Sequence, residues 1–122
     1  MAVIQLIVSG TRKTWGQFAI RVWAELEEVH ALTPISLIIE GGATGVDRFA
    51  RTWAKERGVD FETVDADWDS YGLAAGPIRN SEMLLRYPQA GLLAFPHGES
   101  RGTRGCIALA EQLGRVVRVV EL

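Results

Sequence analysis

Two short segments concentrate the residue types that can hold an anion. The first, "GGATGVD" (41–47), brings Gly41, Gly42, Ala43 and Gly45 together with Asp47. Glycine has no Cβ, so backbone N–H groups in such a turn can approach a phosphate closely. A helix beginning near Gly45 adds the positive end of its dipole. Asp47 falls in the first turn, where it can cap the helix or accept a ribose hydroxyl. A tight strand-to-helix turn with an acidic first-turn residue accounts for the same stretch without any ligand. The second segment, "PHGESRGT" (96–103), repeats the device. Gly98 and Gly102 lie in the turn, and Thr103 at the helix mouth can cap it or donate its hydroxyl to a phosphate. Arg101 and Arg104 either join that cradle or are solvated surface charges.

Other groups fall beside these mouths. Ser9, Gly10, Thr11 and Arg12 follow a buried strand directly, which should aim Arg12 into the same cleft. Arg79 and Asn80 open a helix and can hold a phosphate or a base edge. Trp68 and Tyr71 can line the mouth and stack on a base, or simply pack locally. Several chemistries fail their test. Neither glycine-rich segment spells GxGxxG, and no GxxxxGK[ST] is present. His30 and His97 are far apart and no Cys/His cluster suggests zinc, so neither metal nor cofactor is expected. Ser9 lacks a GxSxG context. Cys106 reads as a packing residue and a weak nucleophile.

The elements that must position these residues alternate. "VIQLIVSG" (3–10) is a buried strand, and apolar residues at helical spacing predict a helix over 15–30. A strand at 36–40 leads into "GGATG", and a helix follows, ended by Gly58. An alternating, more exposed strand is predicted over 59–66, then a loop over 67–77. Pro77 suits the first position of a helix that Pro88 stops. A strand at 90–96, a helix opening at Gly102 and Thr103, and a last strand after Gly114 complete the order βαβαβαβαβ. That order predicts one α/β domain over residues 1–122, a Rossmann-like three-layer sandwich with a five-stranded, mostly parallel sheet. In such a sheet the loops leaving the carboxyl ends of the strands share one edge, where ligands bind at the strand-order switch. Glycine, hydroxyls and arginine are concentrated on those loops, whereas the opposite connections, such as "ERG" and "LGR", are plain.

Bulk composition narrows the classes. The chain has 122 residues, 48% of them apolar, and a formal charge of −2. That charge argues against a protein built to coat nucleic acid. One cysteine excludes an internal disulfide framework and fits a reducing compartment. No apolar run reaches the ~18 residues of a membrane span. "MAVIQLIVSGTR" has no basic start and reads as a first strand rather than a signal peptide. A soluble cytoplasmic protein is expected, with no membrane partner.

Four motifs, "SGTR", "GGATGVD…A…WA…GV", "DADW…G…AGPIRN…M" and "FPHGESRGT", resemble in order and spacing the small proteins of the SLOG superfamily, in particular its YspA-like branch. The superfamily also holds LOG-type phosphoribohydrolases, YpsA-like proteins and the DNA-processing protein DprA. The resemblance implies a Rossmann-like fold whose glycine-rich loops bind a nucleotide or nucleotide-derived ligand, as sensor or carrier. It is compatible with a homo-oligomer. Gly41, Gly42, Gly45 and Asp47 match the first loop motif, and Gly98, Gly102 and Thr103 the second, which is similar to the PGGxGTxxE motif of LOG enzymes. "RNSEM", Arg79 to Met83, is similar to their RKxxM element. One departure bears on chemistry: Cys106 stands where the LOG motif has its catalytic glutamate. A neutral thiol cannot stabilise an oxocarbenium-like centre as a carboxylate does. The alternative, an N-glycosidic hydrolase, uses Arg79 or Asp47 with a relocated carboxylate, Glu40 or Glu99. The last two read more simply as solvated loop residues. DprA-like nucleic-acid binding is the third reading.

Overall fold

The apolar run that opens the sequence becomes the centre of the sheet. A computed structural model describes residues 2–122. Strand β1 (Ile4–Gly10) pairs with β2 (Ile35–Glu40) on one side and β4 (Gly91–Phe95) on the other. Strands β3 (Asp60–Thr63) and β5 (Val116–Val119) complete the order β3-β2-β1-β4-β5. Every adjacent pair is parallel. A strand covered on both faces must be apolar at every position rather than at alternate ones. β1 meets that demand by sending Leu6 and Val8 to one core and Ile7 to the other.

Helices cover both faces. Helix α1 (Gly16–Leu32) buries Phe18, Val22, Leu26 and Val29, one residue per turn. Helix α2 (Val46–Arg57) buries Val46, Ala50, Trp53 and Ala54, and both helices lie on the Leu6 and Val8 side. On the Ile7 side, helix α4 (Ala75–Arg86) contributes Met83 and Leu84, and α5 (Arg101–Gln112) contributes Cys106, Ile107 and Ala110. The result is a three-layer α/β sandwich of the Rossmann-like kind. Among the described residues no helix is long and apolar enough to cross a membrane.

Three local expectations are corrected. The third strand stops at Thr63 instead of running to residue 66. The expected loop over 67–77 is mostly helical: α3 (Trp68–Tyr71), a 3-10 turn (Gly72–Ala74) and the start of α4. Asp67 caps α3 by accepting from the Ser70 N–H at 3.2 Å. Pro77 is the third residue of α4, not the first. The first turn has no intrahelical use for those N–H groups, so proline is accepted there too. The far end of α4 is closed by Arg115. Its guanidinium donates to the carbonyls of Leu84, Tyr87 and Ala90 at 2.6–2.8 Å, which satisfies groups the helix leaves unpaired.

Candidate functional site

From β1 the chain steps outward to β2 and β3, then crosses back to β4 and β5. The loops leaving β1 and β4 therefore diverge and open a crevice above the carboxyl ends of those strands. A cavity of about 370 Å³ lies there. Ser9, Gly10, Arg12, Ala43, Asp47, Trp68, Arg79, Asn80, Gly102 and Thr103 all line it. Leu73, Gly76 and Pro77 complete its wall, and a sequence reading that left 67–77 as a loop missed them. The capping aspartate of α3 was the signal that could have found this wall. Gly41 and Gly42 line an adjoining cavity of about 400 Å³, which shares Arg12, Ala43, Trp68 and Arg79 with the first. Thr11 lines a third cavity beside the mouth of α5. Gly45, Gly98 and Tyr71 line none of these.

The "GGATG" loop is built around two carboxylates. Asp47 Oδ2 accepts from the N–H of Gly41 at 3.0 Å and of Ala43 at 3.3 Å. Glu40 accepts from the Gly42 N–H at 2.6 Å and from the Thr63 hydroxyl. Glu40 is fully buried, which corrects its reading as a solvated loop residue. The loop folds over the end of β2 and covers it. Asp47 reaches back into the loop instead of capping α2, whose N-cap is Gly45 with no side-chain bond. Gly45 has φ +74°, and a Cβ there would lie 2.6 Å from the Arg12 backbone carbon. Only glycine fits such a crossing of two backbones.

Arg79 locks this loop to α4. It donates to the Gly41 carbonyl at 2.5 Å and, through Nε, to Asn80 Oδ1 at 2.9 Å. A Cβ on Gly41 would sit 2.5 Å from the guanidinium carbon, so the glycine admits the arginine. Asn80 in turn donates to the Gly102 carbonyl at 3.4 Å, which ties α4 to the mouth of α5. Burial, and next the neighbouring Glu40 carboxylate, push the Asp47 carboxyl up to about 6. Arg79 and the two N–H donors pull against that rise without cancelling it.

The α5 mouth is organised differently. Ser100, not Thr103, is its N-cap, held at φ 42° with no side-chain cap bond. Thr103 lies inside the first turn, buried against the cavity. Arg104 fixes the approach: it donates to the Gly98 carbonyl at 2.7 Å and pairs with Glu121 at 2.8 Å. It is therefore a brace and not a cradle residue. Arg101 and Glu99 are exposed, 3.7 Å apart. Arg12 is exposed as well, with its guanidinium 5.3 Å from the centroid of Trp68.

Residues 4–71 match the YAcAr family, described as the YspA, cpYpsA-related SLOG family. The chain belongs to this family. It is similar to Gene 61 protein of Mycobacterium phage D29, 35% identical over 116 residues that span 90% of each chain. It is also similar to a solved structure, DNA processing protein A (DprA) from Streptococcus pneumoniae. That match has a TM-score of 0.53, 16% identity, and covers 98% of this chain but 58% of the other. Such a likeness shows a shared fold. Within this SLOG-family chain, Cys106 is a buried core residue that lines a small side cavity of about 150 Å³ with Asn80 and Gly102. It is packed with Ile7, Met83 and Ile107, and burial pushes its thiol up to about 11.

Proposed function

We propose that this crevice binds a nucleotide or nucleotide-derived ligand, as a sensor or carrier, with its phosphate at the α5 mouth and its ribose toward Asp47. One observation carries the reading. Among the described residues, every buried polar or charged group except Glu25 stands at this one edge: Ser9, Thr11, Glu40, Asp47, Arg79, Asn80 and Thr103. Burying polar groups is costly unless they are bonded or used, so their convergence on one edge supports a binding role for it. The carboxylates already occupy the N–H groups of the "GGATG" loop, which favours hydroxyls there over phosphate. The α5 mouth keeps its first N–H groups, the Thr103 hydroxyl and the nearby Arg101 for an anion. Trp68 supplies a flat face for a base.

A second reading is N-glycosidic hydrolysis. Asp47 favours it, because a carboxyl near 6 beside Arg79 can act as acid or as base close to neutrality. Glu40 is sealed beneath the loop, and Glu99 faces solvent. DprA-like nucleic-acid binding has the shared fold in its favour and the charge of −2 against it.

A thermal-shift screen against mono-, di- and cyclic nucleotides, NAD, ADP-ribose and ribose 5-phosphate tests the proposal. A ligand at 100 times its Kd adds about 2.7 kcal/mol, a shift of several degrees for a domain of this size. Chromatography of the bound molecule then separates the first two readings: intact ligand supports a carrier or sensor, cleaved ligand an enzyme. No shift with any phosphate-bearing compound would overturn the nucleotide reading.

A further inference from the structure

Three consecutive N–H groups of the "GGATG" loop point at carboxylates of the chain itself. Asp47 takes those of Gly41 and Ala43, and Glu40 takes that of Gly42 between them. The positive φ of Gly42 makes this alternation possible. Both carboxylates are buried, Asp47 to 5% exposure and Glu40 to 0%. Two like charges in one dry site oppose each other, so one carboxyl keeps its proton to a higher pH than it would in water. That carboxyl is Asp47, pushed up to about 6 by burial first and by Glu40 second.

The other groups around Asp47 do not remove the conflict. From α4, Arg79 pulls the carboxyl down, but its guanidinium is also committed to the Gly41 carbonyl and to Asn80 Oδ1. From α5 comes the Cys106 thiol, itself raised to about 11 and so neutral. Arg12 of the β1 loop and Arg101 of α5 line the same cavity as Asp47, and both are exposed to screening solvent. Lys13 is turned to the Trp15 ring, 5.4 Å from its centroid. On α2 itself, Arg48 is exposed and Arg51 half-buried. From β3, Thr63 offers Glu40 only a hydroxyl. Asp65 adds a third carboxylate beside the loop, its Oδ1 2.7 Å from where a Cβ on Gly42 would stand.

We propose that Glu40 and Asp47 form a proton-operated latch on the "GGATG" loop. With one proton on the pair, the loop is clamped over the end of β2. Loss of that proton loosens the clamp and moves the wall that Gly41, Gly42, Ala43 and Thr44 give to the cavity of about 400 Å³. The sign follows from linkage. The closed loop holds the Asp47 proton more tightly than an opened, hydrated loop does, so opening releases it and becomes easier as pH rises through about 6. The latch does not depend on what the crevice binds.

Hydrogen exchange of the isotope-labelled full chain, read amide by amide by NMR between pH 5.0 and 7.5, tests this. After correction for the intrinsic pH dependence of exchange, the opening constant at Gly41 and Ala43 should rise about 10-fold over that range. This is the rise expected of a carboxyl that drops from about 6 to 3.8 on exposure. Both amides should exchange faster than those of Ile7 and Ile38 at every pH, the mark of a local opening rather than global unfolding. In Asp47→Asn the rise should shrink below about 2-fold. If that variant does not fold, the parent's profile decides alone, since its rise should level off above about pH 6. A parent profile flat with pH, Gly41 and Ala43 exchanging no faster than Ile7, or a full rise that persists in Asp47→Asn would each overturn the latch.

Discussion

Replacing Asp47 with asparagine should stabilise the protein and impair its site, and the gain should depend on pH in a calculable way. The folded state lifts the Asp47 carboxyl from its ordinary 3.8 to about 6, through burial first and Glu40 second. The folded protein thus holds this proton more tightly than the unfolded chain does. The corresponding stability is complete below about pH 4 and is lost as pH rises through about 6. The loss is about 3 kcal/mol at full ionisation, and the group is buried enough that solvent does not screen it away. Asparagine carries no charge at either pH. A single oxygen of Asp47 accepts both loop N–H groups, and Asn Oδ1 can take its place. The stability difference between Asp47→Asn and the parent should therefore grow by about 2–3 kcal/mol from pH 4 to pH 7.5. Any fixed cost of the amide cancels in that comparison. Urea unfolding of both proteins at four or five pH values supplies the numbers. A difference that stays flat across the range would refute the assignment of the strained proton to Asp47. Ligand affinity, or turnover if there is any, should fall in the same variant.

The two crowded glycines should fail in different ways. In Gly45→Ala a backbone meets a backbone at a positive φ, so unfolding should show a loss of about 3 kcal/mol or more. In Gly41→Ala the new methyl meets the end of the Arg79 side chain, so stability should drop by about 1–2 kcal/mol while affinity for phosphorylated ligands falls about 10-fold or more. Arg115→Ala removes a charged donor from three carbonyls and should cost about 2–4 kcal/mol in urea unfolding. Cys106 should react with a thiol reagent at pH 8 at least about 100-fold more slowly in the native protein than in guanidinium, because its thiol is raised to about 11 and covered. Equal rates would show that the α4–α5 core opens readily.

Much of the architecture was legible because its signals are local. The apolar stretch of Leu6, Ile7 and Val8 in β1 and the one-per-turn spacing of Val22, Leu26 and Val29 each report burial within a few residues of chain. The concentration of glycine, hydroxyl and arginine on one set of connections pointed to the sheet edge where the cavity of about 370 Å³ lies. What escaped was long-range. Glu40 ends a strand, where a charged residue normally leaves the core. Its burial depends on Thr63, 23 residues away, and on a loop that closes over it. Asp47 bonds backward to Gly41 rather than to its own helix, a choice set by the crossing of Gly45 over the β1 loop. The four residues of α3 are too few to show a period, and Ser100 adopts a left-handed conformation that nothing in its type demands.

The central position of β1 also governs when the chain is exposed to error. A ribosome that has released residues 4–63 has delivered β1, β2 and β3 with both helices of one face. The second edge of β1 then stays unpaired until Gly91–Phe95 emerges. That edge runs through Leu6, Ile7 and Val8, without a charge or a proline to discourage another strand from joining it. Pausing synthesis between residues 64 and 90 should raise the insoluble fraction of product, and pausing after residue 95 should not. The strand that lets the crevice form at the middle of the sheet thus keeps one side unprotected well after the other is paired, and the interval of risk is set by the 27 or so residues that separate β3 from β4.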